Sequence, residues 1–415
     1  MAAPYNPTPS EKLVAILQEM TMNFIPKSPK IRIITRRAGY NFGSSLQAYA
    51  MQQIVEKLGF PNQIFNYDEY SRKPLWRLRP CLEDLTFQIM RLAPWLSQRL
   101  FRRKYKELYE RSVQIRKFRN FEKVHMKLTP ETYRSSKMLA KEAADCDICI
   151  CGSDQIWSPL LFDPAMFLDF CQGTTASTIA YAPSFGVSGI YFHHEEIRKL
   201  LEEIDSISVR ESEGAEIIRE LTGREVPVVL DPTLLLDADD WRAIARPPEK
   251  TKPYILCYFL GKSRIPFRFL DELRRETGCE LINVCTFRTR NDISGIRDCT
   301  MSPEELIGAV ANAAFVCTDS FHGTIFSILF ERQFFSFERF GKERTGQNSR
   351  IYTLLSRHGL SFRLMQFDHG YDRDVQPIDY GKVGDALLRN RKTSLEFLVA
   401  SLRPRTSKPK DAIRP

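Results

Sequence analysis

The sequence predicts two α/β domains, each a parallel sheet covered by helices on both faces, with a functional site in the cleft between them. Three observations carry this. The chain has 415 residues, more than one compact core usually holds. Apolar, β-branched runs of strand length, such as Ile31-Arg32-Ile33-Ile34-Thr35, alternate with helical patterns, the signature of a sheet buried on both faces. The alternation breaks once, at the polar, Pro-rich stretch 237–253, and then starts again. Two Rossmann-like domains joined by a linker are the natural solution.

The elements follow in order. Residues 1–29 read as an N-terminal arm around one short helix, and 30–236 as the first domain. Its opening strand, 31–35, leads through a turn from Arg36 to Ser45, with Gly39 and Gly43, into a helix carrying Leu46, Ala50, Ile54 and Leu58. Gly59 closes that helix, and 63–67 is the next strand. Residues 70–144 read as an inserted helical subdomain, basic and aromatic, whose Trp76, Leu85, Ile89, Leu92, Trp95 and Leu96 form an apolar face for core packing or membrane contact. Strands are then expected at 147–152, 178–186, 206–210 and 226–233, with helices over 195–204 and 214–222. After the linker, the second domain, 254–402, is expected to hold strands at 254–261, 280–284, 314–318 and 333–337. Its helices are expected at 267–277, 303–312, after His322 and at 381–402. Residues 403–415 read as a flexible tail.

Composition bounds the partners. Hydrophobic residues make up 43% and charged residues 27%, an ordinary globular balance. No apolar run approaches the ~20 residues of a membrane-spanning helix, and the start lacks a signal-peptide pattern, so a cytoplasmic protein is expected. Several of the ten cysteines, Cys149, Cys151, Cys257 and Cys317, sit in apolar strands as small hydrophobes, and neither a disulfide framework nor a metal site is expected. The net charge is +9, and between Arg99 and Lys127 eleven basic residues face three acidic ones, leaving +8 in that one segment. A solvated helix face explains it, and so does a phosphate-rich or anionic membrane partner. Nucleic acid is not expected, because no recognition motif accompanies the charge.

Ligands of parallel sheets bind beyond the carboxyl ends of the strands, and four strand exits stand out. The first is Asn41-Phe42-Gly43-Ser44-Ser45-Leu46-Gln47, where a glycine and a helix start suit an anion, unless Ser44 or Ser45 merely caps the helix. The second is Gly152-Ser153-Asp154, with Asp154 placed to accept a proton or, more plainly, a capping pair. The third is Arg210, whose guanidinium suits a carboxylate or phosphate, or else a salt bridge to Glu211 or Glu213. The fourth is Asp319-Ser320-Phe321-His322-Gly323, where a side chain that titrates near neutrality sits at a strand-to-helix edge. Arg350, in Asn348-Ser349-Arg350-Ile351, caps the helix of Ile351, Leu354 and Leu355 or binds an anion.

Taken together, NFGSSLQAYAMQQ, CGSDQIW, YAPSFG, SISVRESEG, VVLDPTLLL, TDSFHGTIFS and NSRI, in this order, resemble the polysaccharide pyruvyl transferase family over about residues 31–360. The resemblance implies two Rossmann-like domains of GT-B type and transfer of pyruvate from phosphoenolpyruvate (PEP) onto a sugar as a cyclic ketal. It implies that His322 is a candidate general acid and Arg210 a PEP anchor; the chemistry also needs a base, for which Asp154 or Asp319 is the expected residue. Asn41, Gly43, Ser44, Gln47, Gly152, Ser153, Ser320 and Arg350 complete the expected substrate-binding set, without a cofactor or metal. Many members have Arg-Leu before the histidine where this chain has Ser320-Phe321, so Arg350, Arg344 or Lys342 is the candidate replacement cation. The implied acceptor is a glycan precursor, lipid-linked, reached at the inner membrane face. A GT-B glycosyltransferase using a nucleotide sugar is the rival expectation, and a non-catalytic assembly protein on the same fold a third.

Overall fold

The computed structural model describes residues 9–21, 29–37, 40–69, 88, 105–249, 252–261, 266–285, 296–339, 348–366, 370–372 and 374–403. It contains two six-stranded sheets, parallel throughout. The first is ordered β3-β2-β1-β4-β5-β6, from β1 (Ile31–Ile34), β2 (Asn62–Tyr67), β3 (Leu128–Tyr133), β4 (Ile148–Cys151), β5 (Ser177–Ala180) and β6 (Ser206–Ile207). The second is ordered β12-β11-β10-β7-β8-β9, from β7 (Tyr254–Tyr258), β8 (Glu280–Val284), β9 (Ile296–Cys299), β10 (Phe315–Thr318), β11 (Gln333–Phe337) and β12 (Leu364–Met365). In each sheet the first strand is central, the second and third lie to one side and the last three to the other. Strand order therefore reverses between β1 and β4 and between β7 and β10, the places where this architecture opens a crevice.

Helix α1 is Pro9–Thr21 and α2 is Phe42–Lys57. Helix α2 is buried on nearly all sides, from Phe42 to Val55, because it lies between the two lobes. Phe42 meets Tyr258 of the second lobe edge-on at 5.8 Å. One apolar core accordingly runs through both lobes, and each sheet has a further core on its other face.

Several expectations change. The stretch 70–144 is not wholly helical: it holds α3 (Tyr105–His125), the sheet-edge strand β3 and α4 (Ser136–Ala143). Its tryptophans, the rest of the proposed apolar face, Arg99 and the other basic residues before 105 lie outside the described residues, as do Lys342, Arg344 and the tail beyond 403. Helices α5 (His194–Glu202) and α6 (Ser212–Thr222) are as expected to within two residues. No strand forms over 226–233. A single bridge joins Val228 to Val209, and Asp231 caps the 3-10 turn Pro232–Leu234. The linker contains α7 (Ala238–Ile244), capped by a reciprocal Asp237–Asp240 box. Its Trp241 is buried between Tyr49 and Phe326, at 5.5 and 4.8 Å, so this connection is packed core.

Helices α8 (Phe267–Thr277), α9 (Pro303–Asn312), α10 (Phe321–Leu329) and α11 (Ser349–Arg357) complete the second lobe. The last helix, α12 (Tyr380–Leu402), starts on the second lobe and ends on the first. Tyr380 donates to the Ser327 carbonyl, whereas Arg391 donates to the Leu234 and Leu236 carbonyls at 2.6 and 2.7 Å. Cys146 and Cys149 have Cys-x-x-Cys spacing, but both are buried, and their mutual hydrogen bond together with burial pushes the Cys146 thiol up. Among the described residues no cluster of His, Cys, Asp or Glu could hold a metal ion, and no helix is long and apolar enough to cross a membrane.

Candidate active site

The exits of β1 and β4 are locked together by side chains the sequence placed there. Asn41 caps α2, its Oδ1 accepting from the Gly43 and Ser44 amides at 2.9 and 3.4 Å. Gln47 donates to Thr35 Oγ1, the Arg36 carbonyl and the Ser44 carbonyl, and accepts from the Ser153 amide at 2.9 Å. Gly152 has φ +128°, and a Cβ there would lie 2.0 Å from the Tyr181 carbonyl oxygen, so only glycine fits. Ser44 Oγ donates to Asp154 Oδ2 at 2.5 Å.

The second lobe closes on this edge through the start of α10. His322 lies in the first turn of α10, beyond β10, and its ring rests on Gly43: a Cβ at Gly43 would fall 2.1 Å from His322 Nδ1. Gly43 therefore admits the imidazole of one lobe to the helix start of the other.

Asp231 is the hub of the cluster. Its Oδ2 accepts from Arg210 Nη1 at 2.8 Å and from Ser153 Oγ at 3.0 Å, and His322 Nε2 stands 3.6 Å away, beyond hydrogen-bond range. Its Oδ1 is held by the amide and hydroxyl of Thr233 at 3.0 and 2.7 Å. Arg210 also reaches Asp154 Oδ1 at 3.3 Å, and its guanidinium stacks on the Phe321 ring at 4.7 Å. Arg350 approaches the same ring at 5.9 Å. Arg210 is 3% and His322 7% exposed. Two buried nitrogens, Arg210 Nε and His322 Nε2, lack a hydrogen-bond partner, the condition expected where a ligand supplies the acceptor.

Electrostatics follow from burial and pairing. Burial alone would raise the Asp154 carboxyl, but the charges of Arg210 and His322 and the Ser44 hydrogen bond outweigh it and hold the group at about 2. Asp231 is likewise buried, and His322, Arg210 and Thr233 hold it below the usual carboxylate range. Glu211 goes the other way, since burial raises it despite Arg210 and Arg350. Burial, with Arg210 nearby, lowers Arg350 to about 9.

The predicted set thus divides. His322, Arg210, Asp154, Ser44 and Gly43 converge, and Arg350 lies close by. Asn41, Gln47, Gly152 and Ser153 build the frame beneath them. Asp319 stands apart: its carboxylate accepts the Leu260 and Gly261 amides at 2.7 and 2.9 Å and faces Arg339 Nε at 3.3 Å, which ties β10 to the exit of β7. Ser320 caps α10 through the Gly323 amide. Arg210 pairs chiefly with Asp231 and Asp154, with Glu211 at 3.8 Å from its Nε, rather than with Glu213. Sequence reasoning missed Asp231. An acid closing an apolar run, Val226-Pro-Val-Val-Leu230-Asp231, was the available signal.

Comparisons with known proteins bear on the family of the chain. Among solved structures, the UDP-GlcNAc 2-epimerase from Methanocaldococcus jannaschii is similar at TM-score 0.45 and 10% identity, covering 86% of this chain and 91% of that one. The glycosyltransferase SnogD from Streptomyces nogalater follows at 0.38 and 13%, covering 90% and 100%. The E. coli ADP-heptose LPS heptosyltransferase II stands at 0.36 and 9%, covering 88% and 99%. These values are too low to carry a functional argument. No curated protein sequence matches. The model of the family described as polysaccharide pyruvyl transferase matches residues 41–339, from the cap of α2 to the Arg339 that braces Asp319, and so spans both halves of the site. The chain belongs to the polysaccharide pyruvyl transferase family.

Proposed function

We propose that the protein transfers pyruvate from PEP to two hydroxyls of a sugar in a glycan precursor, forming a cyclic ketal and releasing phosphate. The carrying observation is the convergence of Arg210 and His322, from opposite lobes, on Asp231, with an unmatched donor nitrogen on each. His322 donates a proton to the PEP methylene carbon, leaving an oxocarbenium-like centre. One acceptor hydroxyl adds there and loses its proton. Phosphate leaves with its bridging oxygen and takes up a proton. The second hydroxyl closes the ring, and its proton restores His322. Arg210 and the amides at the start of α2 hold the donor anion, and Arg350 supplies a further cation near Phe321. Asp231 orients both Arg210 and His322.

A lipid-linked repeat unit met at the cytoplasmic membrane face is the acceptor this reading takes, and co-flotation of the protein with anionic vesicles tests that part. The reaction itself is tested by phosphate release from PEP in the presence of candidate glycans. Turnover that falls at least ~100-fold in His322→Ala supports it. Protection from heat unfolding by nucleotide sugars but not by PEP would favour a glycosyltransferase instead.

A further inference from the structure

Ketal formation strips a proton from each acceptor hydroxyl, and the two carboxylates singled out by sequence are poorly suited to take it. Asp154 is held ionised by Arg210, His322 and Ser44, which makes it a weak base, and Asp319 is occupied by two amides and Arg339. A third carboxylate lies on the same strand-exit edge. Glu69 follows β2, Arg36 follows β1 and Gln155 follows β4. Arg36 Nε donates to Glu69 Oε2 at 2.8 Å and Arg36 Nη1 to the Gln155 carbonyl at 3.1 Å, so one guanidinium ties Glu69 to the loop that carries Asp154. The Glu69 side chain is 9% exposed, and its Oε1 is buried with no hydrogen-bond partner. An orphaned buried carboxylate oxygen is costly and marks a place where another molecule supplies the donor.

The charged groups that act most strongly on the Glu69 carboxyl are Arg36, Asp163 and Asp154. Asp163 accepts from Tyr67 Oη at 2.8 Å. Burial, joined by the charges of Asp163 and Asp154, raises the Glu69 carboxyl against the pull of Arg36, the opposite direction from Asp154.

We infer that Glu69 is the catalytic residue that removes the proton of the first attacking acceptor hydroxyl, on Oε1, while Arg36 holds the carboxyl through Oε2. This rests on the pyruvyl-transfer reading and fixes the acceptor side of that site at the exits of β1, β2 and β4. As the hydroxyl oxygen bonds to the ketal carbon, its proton moves to Glu69. The same proton then passes to the departing phosphate, which returns Glu69 to the carboxylate.

The test is phosphate release from PEP by the full chain with a panel of p-nitrophenyl hexosides as acceptors, for the unaltered protein and Glu69→Gln. The glutamine keeps the size and an acceptor for Arg36. We expect kcat to fall at least ~100-fold, protection from heat unfolding by PEP to persist, and the acid limb of the kcat/KM profile to vanish. Near-normal kcat with the acid limb intact in Glu69→Gln would overturn the assignment while leaving pyruvyl transfer standing. Absence of both PEP protection and phosphate release in the unaltered protein would overturn both. If Glu69→Gln does not fold, Glu69→Asp decides: reduced kcat with a retained acid limb supports the role, and unchanged kcat overturns it.

Discussion

Helix α3 and the cluster around Asp231 are both dense in charge, yet they use it in opposite ways. On α3 the charges are consecutive in sequence and largely face solvent or brace the lobes. Lys117 donates to the Thr300 carbonyl at 2.9 Å and to Glu305 at 2.6 Å, Gln114 reaches the Cys285 carbonyl at 2.9 Å, and Glu122 accepts from Arg37 at 2.8 Å. Phe118 and Phe121, one turn along the same face from Gln114 and Lys117, pack on Phe42 and Tyr49 of α2. Around Asp231 the charges come from five separate stretches of chain, and most are almost fully buried. The conspicuous charge run is thus, in its described part, a strut between the lobes, and the inconspicuous aspartate is the electrostatic hub. Charge density along a sequence speaks to solubility and steering. Charges brought together and stripped of water speak to chemistry.

The sharpest way to break this contrast is Asp231→Ala. It leaves Arg210 and His322 buried beside each other without their shared anion, and we expect a loss of ~3–5 kcal/mol in urea unfolding together with lost turnover. Gly43→Ala comes next. Its methyl would meet His322 at 2.1 Å, so the lobes must part or the ring must turn, at ~1–3 kcal/mol and with a fall in phosphate release. A variant with normal turnover would show that the imidazole does not work from this position.

Acid titration gives a smaller effect with a definite sign. Asp154 and Asp231 are depressed relative to their unfolded value of ~3.9, so the stability they contribute is complete above that pH and is lost as pH falls toward about 2, where Asp154 takes up its proton. The urea midpoint should decline over that window, and Asp154→Asn should flatten the decline. The smallest effect belongs to α3. The Lys117–Glu305 pair is about a third exposed on each side, and Lys117→Ala should cost only ~0.2–1 kcal/mol. A cost matching that of Asp231→Ala would erase the distinction between the two regions.

Much of the architecture was legible locally. Helices α8 and α9 and strands β8 and β11 run over the residues that their apolar patterns predict. Gly152-Ser153-Asp154 and Ser320-Phe321-His322 stand at strand exits as expected. The errors share a cause. The run 226–230 pairs with the sheet only around Val209, which donates to the Pro227 carbonyl and accepts from the Val229 amide; beyond that Leu230 donates to Ser394 Oγ and Arg357 to the Val228 carbonyl, so the ladder stops at one bridge. The linker looked polar because three of its acids cap and flank a helix whose single tryptophan does the packing. Strands β9 and β12 are short and half-exposed edges with no periodic signal.

The sequence alone determined the two parallel sheets, their exits and the residue types at those exits, because strand and helix periodicity record which face of each segment avoids water. Only the tertiary structure decided that His322 rests on Gly43, that Asp231 serves Arg210 and His322 at once, and that Asp319 is committed to backbone amides. The contacts of His322 with Gly43 and Asp231 depend on the packing of one lobe against the other, and that of Asp319 on the meeting of two strand exits within the second lobe. A contact between segments far apart in sequence leaves no trace in the pattern of either one.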